Sequence, residues 1–198
     1  MKIIFATRNA GKVRELRHAL EGLPISVLSQ DEAGIDTQAE EVGESYAENA
    51  LIKAEAVCLA SGLAALADDS GVEVDALPGE LGVRSARFGG EGLDDAGRNR
   101  LLLERLEGVA EGGRVARYVC ALAFCRPGRE PVYFEGLMPG RILESPRGEG
   151  GFGYDPLMLI PERGLSAAEL DLDVKNRISH RGRALMAFRE WLAGELGT

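Results

Sequence analysis

Residues 65–77, Ala-Leu-Ala-Asp-Asp-Ser-Gly-Val-Glu-Val-Asp-Ala-Leu, constrain the fold more than any other stretch. An apolar run leads into two adjacent carboxylates, and apolar residues resume beyond Ser70 and Gly71. A carboxylate inside a core is costly unless a cation or several donors meet it. The run ahead of the pair has the composition of a buried strand, and the residues after it alternate like another. Successive strand residues point to opposite faces. Asp68 and Asp69 are therefore expected to do different things. One faces a site; the other braces loop backbone or a nearby cation. Ser70 and Gly71 read as a turn between the two strand segments.

The segments around this one alternate between the two regular structures. Residues 3–7 (IIFAT) form a short β-branched run, a buried strand. Residues 9–23 read as a helix, with Asn9 as N-cap, Val13, Leu16 and Leu20 on one face and Gly22 as the stop. Residues 25–28 are a second strand, and 31–44 are acidic and irregular. The clearest helix is 44–62, with Tyr46, Ala50, Val57 and Cys58 along one side and Gly62 closing it. A Gly- and Arg-rich loop is expected over 78–92, then a helix over 94–108. Two strands of a meander follow at 114–126 and 131–143, a Gly-rich loop at 145–156, and a last helix at 179–196 capped by Ser179. Early alternation and a late meander predict a mixed α/β sheet with helices on both sides.

Composition narrows the function. The chain has 198 residues, with 45% hydrophobic and 28% charged, which suits one globular domain with a sizeable core. The net charge is −9, so the chain lacks the basic footprint of a duplex nucleic-acid binder. Any phosphate must be held locally, by a metal ion or a few placed cations. The three cysteines, Cys58, Cys120 and Cys125, form no CxxC pair and read as core residues of a protein from a reducing cytoplasm. Met1-Lys2 runs directly into a strand, which predicts no signal peptide, and no apolar run approaches the roughly 18 residues of a membrane span.

Several polar residues stand where chemistry is done. The first strand ends at Thr7, and Thr7, Arg8, Asn9, Ala10, Gly11 and Lys12 lead into a helix whose free amides suit an anion. This is not a Walker A loop, because its first glycine is missing and Val13 follows Lys12. Lys53 shares a helix face with Tyr46, Ala50 and Val57, so it either snorkels outward or faces a cavity. Glu40 and Glu41 form one acidic pair and Asp68 and Asp69 another; a hard divalent cation takes one or two such carboxylates plus substrate phosphates. In the loop 148–156, Phe152 lies between glycines, and Asp155 before Pro156 is held extended. His180 and Arg181 open the last helix, where cations oppose the macrodipole unless an electron-rich partner is near. Lys175 lies just upstream, a third donor.

In order along nearly the whole chain, TRNAGK, EE…ENALIKA, ADDSG…DAL, SAR, GGFGYDP and KNRISHRG resemble the inosine triphosphatase family, the pyrophosphatases of deaminated purine nucleoside triphosphates. The resemblance implies an elongated mixed sheet flanked by helices, one domain over 1–198 with two lobes and a cleft between them. It implies magnesium-dependent hydrolysis of ITP, dITP and XTP to the monophosphate and pyrophosphate by a cytoplasmic homodimer. It assigns Thr7 to Lys12, Lys53 and Ser70 to the substrate, and Phe152, Gly153, Tyr154, Asp155, Lys175, His180 and Arg181 to the base pocket. Glu41 and Asp69 fall at the metal site, with Asp69 as general base and Glu40 the alternative to Glu41. Asp68 becomes a brace or a further metal contact, and the Ser70–Gly71 turn a place where phosphate approaches backbone. Arg8 departs from the small or amide residue expected in the phosphate loop, adding a cation near the substrate.

Overall fold

The computed structural model describes residues 1–90 and 92–197. Its strands are β1 (Lys2–Phe5), β2 (Ser26–Ser29), β3 (Ala64–Val74), β4 (Val115–Cys125), β5 (Val132–Ile142), β6 (Met158–Ile160) and β7 (Leu165–Ser166). The α-helices are α1 (Ala10–Ala19), α2 (Tyr46–Ser61), α3 (Asp95–Arg105), α4 (Leu172–Ile178) and α5 (His180–Leu196). The sheet order is β2-β1-β3-β4-β5-β6-β7. It is mixed as expected: β1 runs parallel to β2 and β3, whereas β6 runs antiparallel to β5 and β7.

The chain forms two compact units. The first contains Met1–Asp69, Cys120–Gly136 and His180–Thr198; the second contains Ser70–Val119 and Leu137–Ser179. In the first unit, strand alternation sorts the core into two layers. Ile3, Phe5, Leu66, Leu122 and Phe124 pack with Val13 and Leu16 of α1 and with Leu185, Phe188 and Leu192 of α5. Ile4, Ala65, Ala67, Ala123 and Cys125 pack with Ala50, Ala54 and Val57 of α2. Each large apolar side chain so buried contributes roughly 1.5–3 kcal/mol. Small residues on the α2 side and large ones on the other let α2 approach the sheet closely. Among the described residues of the second unit, Val72, Val74 and Tyr118 share an apolar core with Leu102 of α3, Leu106 just after it, Leu157 and Met158.

The local signals explain the helix ends. Asn9 caps α1, its Oδ1 accepting from Gly11 N at 2.8 Å and Lys12 N at 3.2 Å. Ser45 and Glu48 form a capping box on α2, and Gly62 ends it in the left-handed conformation (φ 66°). The cysteines are buried and unpaired, in keeping with the expected core role. Burial pushes the Cys120 and Cys125 thiols up to about 12.

Three local expectations are corrected. Ser70 and Gly71 form no turn: β3 runs unbroken from Ala64 to Val74, and Gly71 has no positive φ. Apolar, buried residues on both sides make the whole stretch worth extending as one strand, and the glycine is absorbed inside it. The segment before α5 contains a further helix, α4, which Ser179 closes, its N–H donating to Lys175 O at 2.8 Å, while Ser179 also stands immediately before His180, the N-cap position expected of it for α5. The loop expected over 78–92 contains a short 3-10 turn at Gly82–Arg87.

One close approach is specific to glycine. A Cβ on Gly136 of β5 would lie 2.0 Å from His180 O and 2.7 Å from Ala184 N, both backbone atoms of α5. Gly136→Ala is expected to cost about 3 kcal/mol in urea denaturation, at the upper end of overpacking. Gly194→Ala, inside α5 with open space around its Cβ, should gain about 0.5–1 kcal/mol.

Candidate functional site

Strand β3 carries the two aspartates out of the apolar layers without changing the alternation. Asp68 follows Leu66 onto the side of α1 and α5, and Asp69 follows Ala67 onto the side of α2. The two are thus separated as the alternation demands.

Asp68 is 2% exposed. Lys12, one turn into α1, places its Nζ 3.0 Å and 2.8 Å from the two carboxylate oxygens. Arg181, at the start of α5, donates from Nε to Asp68 Oδ2 at 3.1 Å and from Nη1 to Glu15 Oε2 at 3.4 Å. Burial works to raise the Asp68 carboxyl, but Lys12, Arg181 and Lys53 outweigh it and hold the group well below the usual carboxylate range. Burial likewise opposes the Arg181 charge, and Asp68 restores it. The electron-rich partner needed by a cation at this helix start is a pair of protein carboxylates.

On the other side of β3 the charges reverse. Asp69 is 9% exposed, and its Oδ2 accepts from Asn49 Nδ2 at 3.2 Å. Lys53 Nζ lies 2.7 Å from Glu41 Oε1 and 3.5 Å from Asp69 Oδ1, so it faces inward and bridges the two carboxylates. Glu41 is turned onto Lys53, whereas Glu40 is exposed. Burial raises the Asp69 carboxyl above its ordinary value; Lys53 opposes this, and Glu41 and Asp68 add to it. Burial tends to lower the Lys53 ammonium, but Asp69, Asp68 and Glu41 prevail and it is raised.

Asn49 was not foreseen. It is fully buried and uses both ends of its amide, with Oδ1 accepting from Gly43 N at 2.8 Å. It therefore ties Asp69 to the chain just beyond Glu41. Its spacing was the available signal, since Asn49 stands four residues before Lys53 on the same helix face. Glu15 and Tyr118 were also missed.

Thr7 and Arg8 line a cavity of about 200 Å³ in the first unit together with Gln30, Thr37 and Lys53. Thr7 Oγ1 accepts from Asn9 N at 3.2 Å. Arg8 is half-exposed and paired with Asp36 at 2.6 Å and Asp31 at 3.4 Å, contacts of small energetic weight. Ala10 begins α1, and the Gly11 and Lys12 amides are engaged by the Asn9 cap. His180 is buried at the first position of α5.

The second unit holds its own carboxylate hub. Asp155 is 4% exposed; Oδ1 accepts from Tyr118 Oη at 3.1 Å, and Oδ2 accepts from Phe152 N at 2.9 Å and from Lys175 Nζ. Burial and Asp155 both push the Tyr118 phenol up, so it stays a donor. Lys175 Nζ also stands 5.1 Å from the centre of the Phe152 ring, which is 58% exposed. Tyr154 is anchored by Oη donating to Ser85 O at 2.7 Å. Lys175 is thus paired with Asp155 and Arg181 with Asp68. Ser70, half-buried in β3, begins this unit.

The donor set around Lys53 fits a hard cation. Two carboxylates converge on one ammonium, leaving a net negative, partly dry cluster of oxygen donors. Among the described residues no group of three or more His, Cys, Asp or Glu is placed to hold a metal, so a cation here depends on oxygens from elsewhere, such as phosphate. On the Asp68 side a neutral amide would leave Lys12 and Arg181 short of their carboxylate. Asp68→Asn is expected to lose about 3 kcal/mol in urea denaturation, as for a broken buried pair; a loss under about 1 kcal/mol contradicts this role.

Comparison with known proteins agrees on one family. The model of the Ham1 family matches residues 3–191. A dITP/XTP pyrophosphatase of Geobacter sulfurreducens is 48% identical over 191 residues, 96% of each chain. One from Thermus thermophilus is 50% identical over 190 residues, 96% of this chain and 91% of the relative. The solved structure of a HAM1 protein from Coxiella burnetii superposes with a TM-score of 0.92 at 38% identity, covering 98% of this chain and 99% of that one. A Mycobacterium abscessus structure described as nucleoside-triphosphatase / dITP/XTP pyrophosphatase gives 0.78 at 41% identity, covering 95% and 98%. With a match spanning nearly every residue, from β1 into α5, the chain belongs to the Ham1 family.

Proposed function

We propose that this chain hydrolyses ITP, dITP and XTP to the nucleoside monophosphate and pyrophosphate, as a magnesium-dependent enzyme that removes deaminated purines from the nucleotide pool. The observation that carries the reading is Asp69: a buried carboxylate with raised basicity, oriented by Asn49 and set beside Glu41 and Lys53. Its relatives' names, dITP/XTP pyrophosphatase, support the substrate class. On the family resemblance the reading extends to residues 1–198 acting as one domain with two lobes, and to a cytoplasmic homodimer.

Each residue then has a task. Thr7 to Lys12, Lys53 and Ser70 bind the triphosphate, with the two lysines neutralising charge on the leaving pyrophosphate. Glu41 and Asp69 would hold magnesium, which would supply Lewis-acid stabilisation of the phosphates. Asp69 orients the attacking water and takes its proton. Phe152 offers an exposed ring for stacking on the base, which gives affinity without selectivity. Gly153, Tyr154 and Asp155 shape the base-binding loop. Lys175, His180 and Arg181 supply donors suited to a 6-oxo group. An amino group at that position leaves such donors unpaired, which is how a site of this kind rejects adenine.

The test is pyrophosphate release from ITP, XTP, ATP, dTTP and UTP. ITP and XTP are expected to exceed the others by at least about 10²-fold in kcat/KM, with turnover lost when EDTA removes the divalent ion. Equal rates on dTTP would contradict the purine assignment.

A further inference from the structure

We infer that Asp95 and Asn99 of α3 are positioning residues for base recognition, acting through the backbone of Gly153. This rests on the function proposed above, in which Phe152 stacks on the base. Gly153 N–H donates to Asp95 Oδ2 at 2.7 Å, and Gly153 O accepts from Asn99 Nδ2 at 3.0 Å. Asp95 and Asn99 are four residues apart, so they lie on one face of the helix. Both hydrogen-bonding groups of the residue after Phe152 are thereby tied to a rigid element. Phe152 N is tied separately, to Asp155. An aromatic ring that is 58% exposed thus stands on a backbone fixed at consecutive residues, a platform ordered before any ligand arrives.

Asn99 supplies a second sign. It is 7% exposed, and its buried Oδ1 has no hydrogen-bond partner among the described residues. A buried, unused acceptor is costly, and an apolar residue of that size avoids the cost. The bond from Nδ2 to the loop is what the amide provides. Gly153 itself has φ +60°, a conformation other residues rarely adopt, so the clamp holds a bend that the chain would otherwise leave only loosely defined.

The experiment compares wild type with Asp95→Ala, Asp95→Asn and Asn99→Ala in ITP hydrolysis, with product inhibition by IMP and by pyrophosphate. Asp95 is 57% exposed, so its variants are suited to a folding-neutral test. For Asp95→Ala and Asn99→Ala, KM for ITP and Ki for IMP should rise together by about tenfold. The pyrophosphate Ki should stay within about twofold and kcat within about threefold. Asp95→Asn keeps an acceptor for Gly153 N–H and should behave as wild type. Unchanged KM and IMP inhibition, equal weakening of IMP and pyrophosphate, or an Asp95→Asn as impaired as Asp95→Ala would each overturn the inference. If Asn99→Ala does not fold, the Asp95 pair decides. A wild type that hydrolyses neither ITP nor XTP overturns the functional reading and this one with it, whereas an active wild type with an indifferent Asp95→Ala overturns this one alone.

Discussion

The buried carboxylate of Asp68 is the interaction on which the placing of the first unit's inner cations depends. It sits on β3, and its partners Lys12 and Arg181 come from α1 and α5, elements far apart in sequence. Apolar contacts bring those helices to the sheet, but they are tolerant of small slides. An ion pair to a fully buried group is not, because a displaced cation leaves the carboxylate unpaired in a medium that penalises it. Lys12 is thereby held near the start of α1, and Arg181 is held at the start of α5 against the helix macrodipole. The charge on Asp68 is cheap in this setting only while both cations are present.

Its neighbour Asp69 is also buried, less completely, and has the opposite electrostatics. Asp68 pairs directly with two cations, Lys12 and Arg181, and feels Lys53 as well; Asp69 meets Lys53 with the Glu41 carboxylate close by. The result is one carboxyl lowered and one raised, on adjacent residues of one strand. Groups driven apart in this way are what acid–base chemistry requires. In the second unit Asp155 repeats the bracing logic of Asp68, gathering Tyr118, Lys175 and the Phe152 amide. A Cβ at Gly151 would lie 2.2 Å from Asp155 Oδ2, so the glycine lets the loop close onto its own carboxylate.

Much of this was legible in the chain. The inward faces of α1, α2 and α5 follow from helical spacing, and the split of Asp68 from Asp69 follows from strand period alone. Lys53 was recognisable as a cation on a core-facing side, though only the structure shows that it meets Glu41 and Asp69. Glu15 and Tyr118 act across tertiary contacts and carry no local signature, whereas Asn49 carries one in its four-residue spacing from Lys53 on α2. The break expected at Ser70–Gly71 failed for a physical reason. Glycine and serine punctuate loops when nothing else holds the chain, but β3 lies between β1 and β4 and its flanks are buried. Helix α4 escaped because seven residues with three charges show no amphipathic repeat.

On the function proposed, adjacent carboxylates on one strand have separate jobs, Asp68 holding structure and Asp69 performing chemistry. Single-turnover hydrolysis of ITP by Asp69→Asn, alongside ITP binding by the same variant, tests it most directly. The account predicts a folded protein that still binds ITP and whose turnover falls by about 10² or more, the usual contribution of a general base. Turnover equal to wild type with binding intact would contradict it.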